Sequence, residues 1–227
     1  MDILNHAQMR QEFTANVSHE LKTPLTAISG YAELIASGMT GGEDTVHFAN
    51  EIHRSAERLQ SLINDIIKLS ELDDSDLKLE FETVDLHELG EQCVSSMQMQ
   101  AEKNEVTLQL EGTSVPMSGN KTLLEELLFN LCSNAVRYNK KGGSVTIVTA
   151  IENTRPVLIV KDTGIGIPKE QQERVFERFY RVDKSRSKST GGTGLGLAIV
   201  KHIVAQHDAQ ISMTSEVGVG TEIKVVF

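Results

Sequence analysis

Apolar residues recur along the first third of the chain at steps of four and three. Phe13, Val17, Leu21, Leu25, Ile28, Ala32 and Ile35 form a stripe down one side of a long helix. Ser37-Gly38-Met39-Thr40-Gly41-Gly42 closes it, because glycine accepts the backbone turns that end helices. A second stripe follows at Ala49, Ile52, Ala56, Leu59, Ile63 and Ile66 with coiled-coil spacing, and Leu62, Ile67 and Leu69 widen it. Two long helices joined by a glycine turn make an antiparallel hairpin. A hairpin alone buries one stripe per helix, so the wider second stripe predicts two hairpins paired in a homodimeric four-helix bundle.

Asp73-Asp74-Ser75-Asp76 breaks the pattern and predicts a linker, which divides residues 1–75 from residues 76–227. Beyond it Val106–Leu110, Ser144–Ala150, Pro156–Lys161 and Thr221–Phe227 read as strands. Helical patterns lie between them near Leu86–Lys103, Lys121–Tyr138 and Leu195–Gln206. Strands grouped with helices on one face predict an α+β two-layer sandwich.

Composition narrows the function. The 22 Lys+Arg against 32 Asp+Glu give a net charge of −10, which argues against a general nucleic-acid binder. A local nucleotide site remains open to an acidic protein. No apolar run exceeds the four residues Val157–Val160, far short of the roughly 20 that a membrane helix needs, so no membrane contact is expected of this segment. Met1–Arg10 lacks the layout of a signal peptide. Cys93 and Cys132 stand far apart and predict neither a disulfide framework nor a metal motif.

The pattern around Asn130 carries the most chemistry. Leu124, Leu127, Leu128, Leu131 and Ala135 form its apolar side, while Glu126, Asn130, Asn134, Arg137 and Tyr138 follow another face. A merely solvated face would use Lys and Glu, which form helices better than Asn. Two amides a turn apart, beside a carboxylate and a cation, suit Mg²⁺ with polyphosphate, because Mg²⁺ keeps its waters and takes few protein ligands. Core amides bonded to backbone are the plainer alternative. Asp162-Thr163-Gly164-Ile165-Gly166-Ile167-Pro168 follows a strand; its glycines allow close approach, and Asp162 can accept from a purine amine. The same residues would also serve an Asp-started turn. Gly191-Gly192-Thr193-Gly194-Leu195-Gly196-Leu197 enters a helix N-terminus, a natural phosphate site, but matches neither the dinucleotide fingerprint nor Walker A. Between these clusters, Lys169–Thr190 is polar and basic, with Arg174, Arg178, Arg181, Lys184, Arg186 and Lys188, and reads as a lid over an anionic ligand or as a solvated loop. His19 lies off the stripe of the first helix and is expected to face solvent. Glu20 is adjacent, Thr23 lies one turn on, and Pro24 predicts a kink beside it.

These segments occur in one order, and over essentially its full length the chain resembles the catalytic core of a two-component sensor histidine kinase. Ser18-His19-Glu20-Leu21-Lys22-Thr23-Pro24-Leu25 is similar to that family's phosphoacceptor box. Glu126 through Tyr138 resembles the N box, Asp162–Pro168 the first glycine box, Phe176–Arg181 the F box, and Gly192–Leu197 the second glycine box. The resemblance implies a dimerisation and phosphotransfer domain (1–75) followed by an ATP-binding domain of the GHKL type (76–227). It implies that His19 is phosphorylated from ATP, with Glu20 accepting its other ring N–H, Thr23 orienting water for phosphatase activity, and Glu126 as a polar helper or base. Asn130 would hold Mg²⁺. Asn134, Arg137, Tyr138, Asp162, Gly164, Ile165, Gly166, Gly192, Thr193, Gly194, Leu195 and Gly196 would line the ATP site. The implied partners are a second copy and a response regulator whose Asp receives the phosphoryl group. Arg137 stands where Lys is frequent, and His207-Asp208-Ala209 replaces a His-Gly pattern. The family's sensor and membrane regions are missing from this sequence, which is expected to be the cytosolic portion of a membrane sensor. Two other readings stand beside this one. A GHKL ATPase shares the nucleotide boxes but needs no His19, and a degenerate kinase would act as a dimeric scaffold.

Overall fold

The computed structural model describes residues 2–38, 41–73, 79–182 and 192–227, with side chains from Phe13 onward. They cluster into two compact units. The first is the helical hairpin, built from α1 (Asp2–Ala36) and α2 (Gly42–Leu72), whose residues from Lys68 group with the second unit. Phe13, Val17, Leu21, Ile28 and Ile35 are partly buried, as the stripe requires. Leu25 and Ala32 are not: both are exposed, Leu25 by 55%, and Pro24 takes the buried place between Leu21 and Ile28. The next inner residue, Tyr31, stacks on Phe48 of α2 with ring centroids 5.3 Å apart. α1 remains one helix through Pro24, because losing a single N–H does not outweigh the bonds on either side. In α2, Leu62 is buried and Phe48, Ile52, Ser55, Leu59 and Ile66 are partly buried along one row, whereas Ala49, Ala56 and Ile63 are exposed. The broad second stripe is therefore two rows, one inside the hairpin and one outside it. Among the described residues no helix is long and apolar enough to cross a membrane. The linker expected at Asp73–Asp76 falls outside the described residues beyond Asp73.

The second unit is an α+β sandwich. Its main sheet holds β2 (Thr107–Gly112), β4 (Ser144–Glu152), β5 (Arg155–Asp162), β6 (Gln210–Glu216) and β7 (Gly220–Val226) in the order β2-β4-β5-β7-β6. Only β2 and β4 run parallel. β1 (Glu82–Asp85) and β3 (Pro116–Gly119) pair separately, Val84 opposite Met117. Helices α3 (Leu86–Lys103), α4 (Lys121–Arg137) and α5 (Gly196–Gln206) form the second layer. The core is the apolar side of α4, with Leu124, Leu127, Leu128 and Leu131, set with Ile199 and Ile203 of α5 and Ile147, Leu158 and Val225 of the sheet, all at most 2% exposed. Each such side chain contributes about 1.5–3 kcal/mol on burial. Cys93 of α3 and Cys132 of α4, distant in sequence, meet in this core and remain free thiols. The hydrogen bond with Cys93 and burial together push the Cys132 thiol up, which keeps it protonated.

Side chains set the helix ends. Asp85 caps α3 by accepting from the His87 amide at 2.9 Å, and Asn120 caps α4 by accepting from Leu123 at 3.0 Å. His207 ties α5 to that second cap. Its Nδ1 donates to the Ile203 carbonyl at 2.8 Å, so its Nε2 is free to accept from the Asn120 amide at 3.1 Å. Burial pulls the His207 imidazole below its ordinary value. The neutral ring therefore stabilises the fold above about pH 6.5, and that contribution is lost as pH falls towards the lowered native value.

Asp208, the departure from the family's His-Gly pattern, sits just past α5 at φ +50°. That left-handed position after a helix favours glycine. Asp208→Gly is expected to stabilise the protein by about 0.5–1 kcal/mol, read as a higher urea midpoint at constant slope.

Candidate functional site

On the hairpin, His19 projects outward with its side chain 81% exposed, while the adjacent Glu20 is only 23% exposed. Glu20 Oε1 lies 3.9 Å from His19 Nδ1, and Glu20 Oε2 lies 3.5 Å from Arg58 Nη2 on α2. Thr23, one turn on, is exposed and donates its hydroxyl to the His19 carbonyl at 3.2 Å. Pro24 offers no N–H to the Glu20 carbonyl four residues back. The expected set of His19, Glu20 and Thr23 is thus on one exposed stretch of α1.

In the second unit, α4 carries the polar row Glu126, Asn130, Asn134 and Arg137, all half-buried, and ends at Tyr138. Asn130 spends its amide hydrogens on Glu126, donating to the backbone carbonyl at 2.9 Å and to Oε1 at 2.8 Å. Its carbonyl oxygen is the atom left to meet a ligand. A β-carbon added at Gly196, the first residue of α5, would lie 2.7 Å from Asn130 Oδ1 and 3.8 Å from Asn134 Nδ2. A side chain there would press on the Asn130 amide, and the glycine lets the second glycine box lie against the N box. Leu195 is buried at the start of α5 and gives the helix no side-chain cap, and a helix N-terminus of this kind suits an anion. Gly192 and Thr193, just before it in sequence, group with the first unit.

The first glycine box meets the other end of α4. Asp162 Oδ1 accepts from the amides of Gly164 at 2.7 Å and Thr221 at 3.2 Å, leaving Oδ2 with capacity for a further donor. Burial raises the Asp162 carboxyl above its ordinary value, and those two amides pull it part of the way back. Gly164 packs against the Tyr138 carbonyl, which accepts from the Ile165 amide at 3.1 Å. Gly166 has φ +68°, and a β-carbon there would fall 2.0 Å from the Glu216 carbonyl. No other residue fits without moving β6. The loop is thus clamped between the C-terminus of α4 and the β6–β7 hairpin.

The F box joins the second glycine box. The Phe179 amide donates to the Gly194 carbonyl at 2.8 Å, with both residues at positive φ. Arg178 Nη2 contacts both oxygens of Asp73, at 2.7 and 2.8 Å, and lies 3.1 Å from His202 Nε2. Of the basic segment, Lys184, Arg186 and Lys188 lie outside the described residues. Before them, Lys169–Gln171 and Arg174–Phe176 form short 3₁₀ turns.

Three contributors escape a reading of the sequence. Asn139 and Thr163 hold the first glycine box to β4: the Asn139 amide donates to the Ser144 carbonyl at 3.0 Å, and Thr163 Oγ1 accepts from the Ser144 amide at 2.9 Å. A lone Asn after a helix reads only as a cap, and a Thr in a turn reads only as polar. Arg58 carries no signal, because its partner lies on another helix.

Comparison with known proteins fits this geometry. Residues 9–75 match the His Kinase A (phospho-acceptor) domain. Residues 119–227 match the histidine kinase-, DNA gyrase B-, and HSP90-like ATPase family. The sensor-like histidine kinase SenX3 of Mycolicibacterium smegmatis is 39% identical over 224 residues, covering 97% of this chain and 58% of SenX3. The chain therefore spans less than two thirds of that relative. Full-length ShkA, crystallised in complex with AMPPNP, is 27% identical with a TM-score of 0.69, covering 95% of this chain and 45% of ShkA. Histidine kinase ThkA, crystallised in complex with response regulator protein TrrA, shares the fold at 22% identity with a TM-score of 0.80, covering 100% of this chain and 64% of ThkA. A phospho-acceptor hairpin followed on one chain by this ATPase fold is the domain pair of the sensor histidine kinases, and the chain belongs to that family.

Proposed function

We propose that this chain is a kinase core that phosphorylates itself on His19 from ATP and passes the phosphoryl group to an Asp of a response regulator. The observation that carries the reading is the exposed His19, with a carboxylate beside its ring, on the same chain as an N box and two glycine boxes that converge on α4. The domains are taken as residues 1–75 for phosphotransfer and dimerisation and 76–227 for ATP binding. AMPPNP on the related ShkA supports ATP as the ligand.

Each residue then has a task. Asp162 accepts from the adenine amine, held in place by the Gly164 and Thr221 amides. Tyr138 and Ile165 flank the base, with Gly164 and Gly166 allowing its approach. Gly192, Thr193, Gly194, Leu195 and Gly196 present backbone N–H groups to the phosphates, and Asn134 and Arg137 add polar and positive contacts. The oxygen-donor set fits Mg²⁺: Asn130 Oδ1 would hold it and Glu126 fixes that amide, and the ion when bound neutralises phosphate charge. Neutral His19 attacks the γ-phosphorus through Nε2; an N–P bond forms, the bond to the ADP oxygen breaks, and Glu20 takes up the charge developing at Nδ1–H. Positioning and charge neutralisation supply most of the catalysis.

Exposed Leu25, Ile63 and Ile67 on the hairpin support a homodimer, since a second copy would cover them. The response regulator bound to ThkA supports such a partner here. We place the core in the cytosol, as part of a membrane sensor. Thr23, exposed beside His19, orients water for the reverse dephosphorylation of the regulator. Thr23→Ala is expected to keep autophosphorylation within about twofold and to slow regulator dephosphorylation at least about tenfold. Equal loss of both activities would remove Thr23 from that role.

Incubation with γ-labelled ATP and Mg²⁺ tests the proposal. Label on the protein that survives alkali and is lost in acid is expected. Steady ATP hydrolysis with no label on the protein would instead favour a GHKL ATPase.

A further inference from the structure

Glu20 has two carboxylate oxygens and two neighbours that can use them. Oε1 is 3.9 Å from His19 Nδ1, and Oε2 is 3.5 Å from Arg58 Nη2. The three side chains are graded in exposure: His19 81%, Glu20 23% and Arg58 18%. The imidazole therefore reaches out to solvent while the ion pair behind it is largely covered by the hairpin.

Adjacent residues on a helix do not face each other. Adjacency in sequence therefore does not by itself aim the Glu20 carboxylate at the His19 ring, and an unanchored glutamate swings among several rotamers. The Arg58 guanidinium, delivered from α2, supplies a fixed positive anchor. It lies 3.5 Å from one oxygen, and the other oxygen is on the imidazole side. At 3.9 Å that second contact is not yet a hydrogen bond; a shift of about 1 Å would make it one. The carboxylate is the form of Glu20 that can accept from Nδ1–H.

We propose that Arg58 is a positioning residue for phosphoryl transfer to His19, acting through Glu20. The inference rests on the reading of His19 as nucleophile and extends it to α2. In this role Arg58 orients the group that steadies the ring. A change in how α2 sits against α1 would accordingly alter the reactivity of His19 without touching the nucleotide site.

The test is a double-mutant cycle on the full chain with labelled ATP and Mg²⁺, reading the rate of His19 labelling against ATP concentration. Arg58→Met keeps the apolar stem and helix propensity. It is expected to lower the maximal rate about tenfold with KM for ATP unchanged. Arg58→Lys is expected to recover most of that loss. In a Glu20→Gln background, Arg58→Met is expected to cost less than about twofold more, because the group it acts through has already lost its charge. Arg58→Gln runs in parallel, and circular dichroism melts identify a variant whose loss comes from unfolding. Wild-type rates in Arg58→Met, a change confined to KM, or the same tenfold loss on top of Glu20→Gln would overturn the inference while leaving the His19 reading intact. Absence of label on the wild-type chain would overturn both.

Discussion

His19→Gln abolishes phosphoprotein formation and leaves everything else nearly as it was. An amide nitrogen has no free lone pair for attack on phosphorus, so label is expected to fall below detection. The side chain is 81% exposed, and none of its ring contacts supports the core. Surface substitutions of this kind stay within about 0.5 kcal/mol, so the unfolding midpoint should not move. Nucleotide binding, measured by calorimetry with Mg²⁺ and a non-hydrolysable ATP analogue, should match the wild type, because Asn130, Asp162 and the glycine boxes are untouched. Intact binding with total loss of label separates a phosphotransferase from an ATPase. Label persisting on His19→Gln would place the acceptor elsewhere.

Asp162→Asn should erase nucleotide binding while sparing the fold. The amide oxygen of Asn can still accept from Gly164 and Thr221, so the loop keeps its anchors. What changes is the second atom, from an acceptor to an N–H donor aimed at the donor amine of adenine. Replacing an attraction by two opposed donors in a half-buried site costs about 2–4 kcal/mol, or roughly 30- to 700-fold in affinity. The apo protein should not suffer. Burial raises the Asp162 carboxyl, so ionisation there works against folding: its favourable contribution is present at low pH and lost as pH rises through the raised native value. Removing the charge leaves the apo unfolding midpoint at neutral pH equal or higher. The same shift sets a pH dependence for the wild type. Affinity should fall as pH drops through the Asp162 carboxyl range, because the protonated acid presents an O–H to the amine. The Asn variant should lack that slope. Unchanged affinity in Asp162→Asn would put adenine recognition on another residue.

Much of the candidate site was legible because the chain marks it with residue types that a plain helix or loop would avoid. Asn130 and Asn134 stand where Lys or Glu would make a better helix, and α4 shows both its apolar side and its polar row as read. Gly196 and Gly166 are small where a β-carbon would strike Asn130 Oδ1 or the Glu216 carbonyl. Other features left weak marks. β6 buries only Ile211, Met213 and Ser215 partway at the sheet edge, so its alternation is faint. β1 and β3 are four residues each and owe their pairing to the elements around them. Leu25 fits a helical stripe by spacing, yet Pro24 is the buried residue, because spacing leaves the angle of the inner row free by one position.

The sequence by itself determined the two-part organisation, the long hairpin, the elements of the α4 layer and the residues proposed to carry chemistry. Local periodicity and local residue choice are written along the chain, and neither needs a partner to be seen. Only the tertiary structure decided which atoms meet. It set Asn130 Oδ1 against Gly196, bound the first glycine box through Asn139 and Thr163, and brought Cys93 to Cys132. It also placed Arg58 behind Glu20. These contacts join segments far apart in sequence, and their distances follow from how whole helices and strands pack.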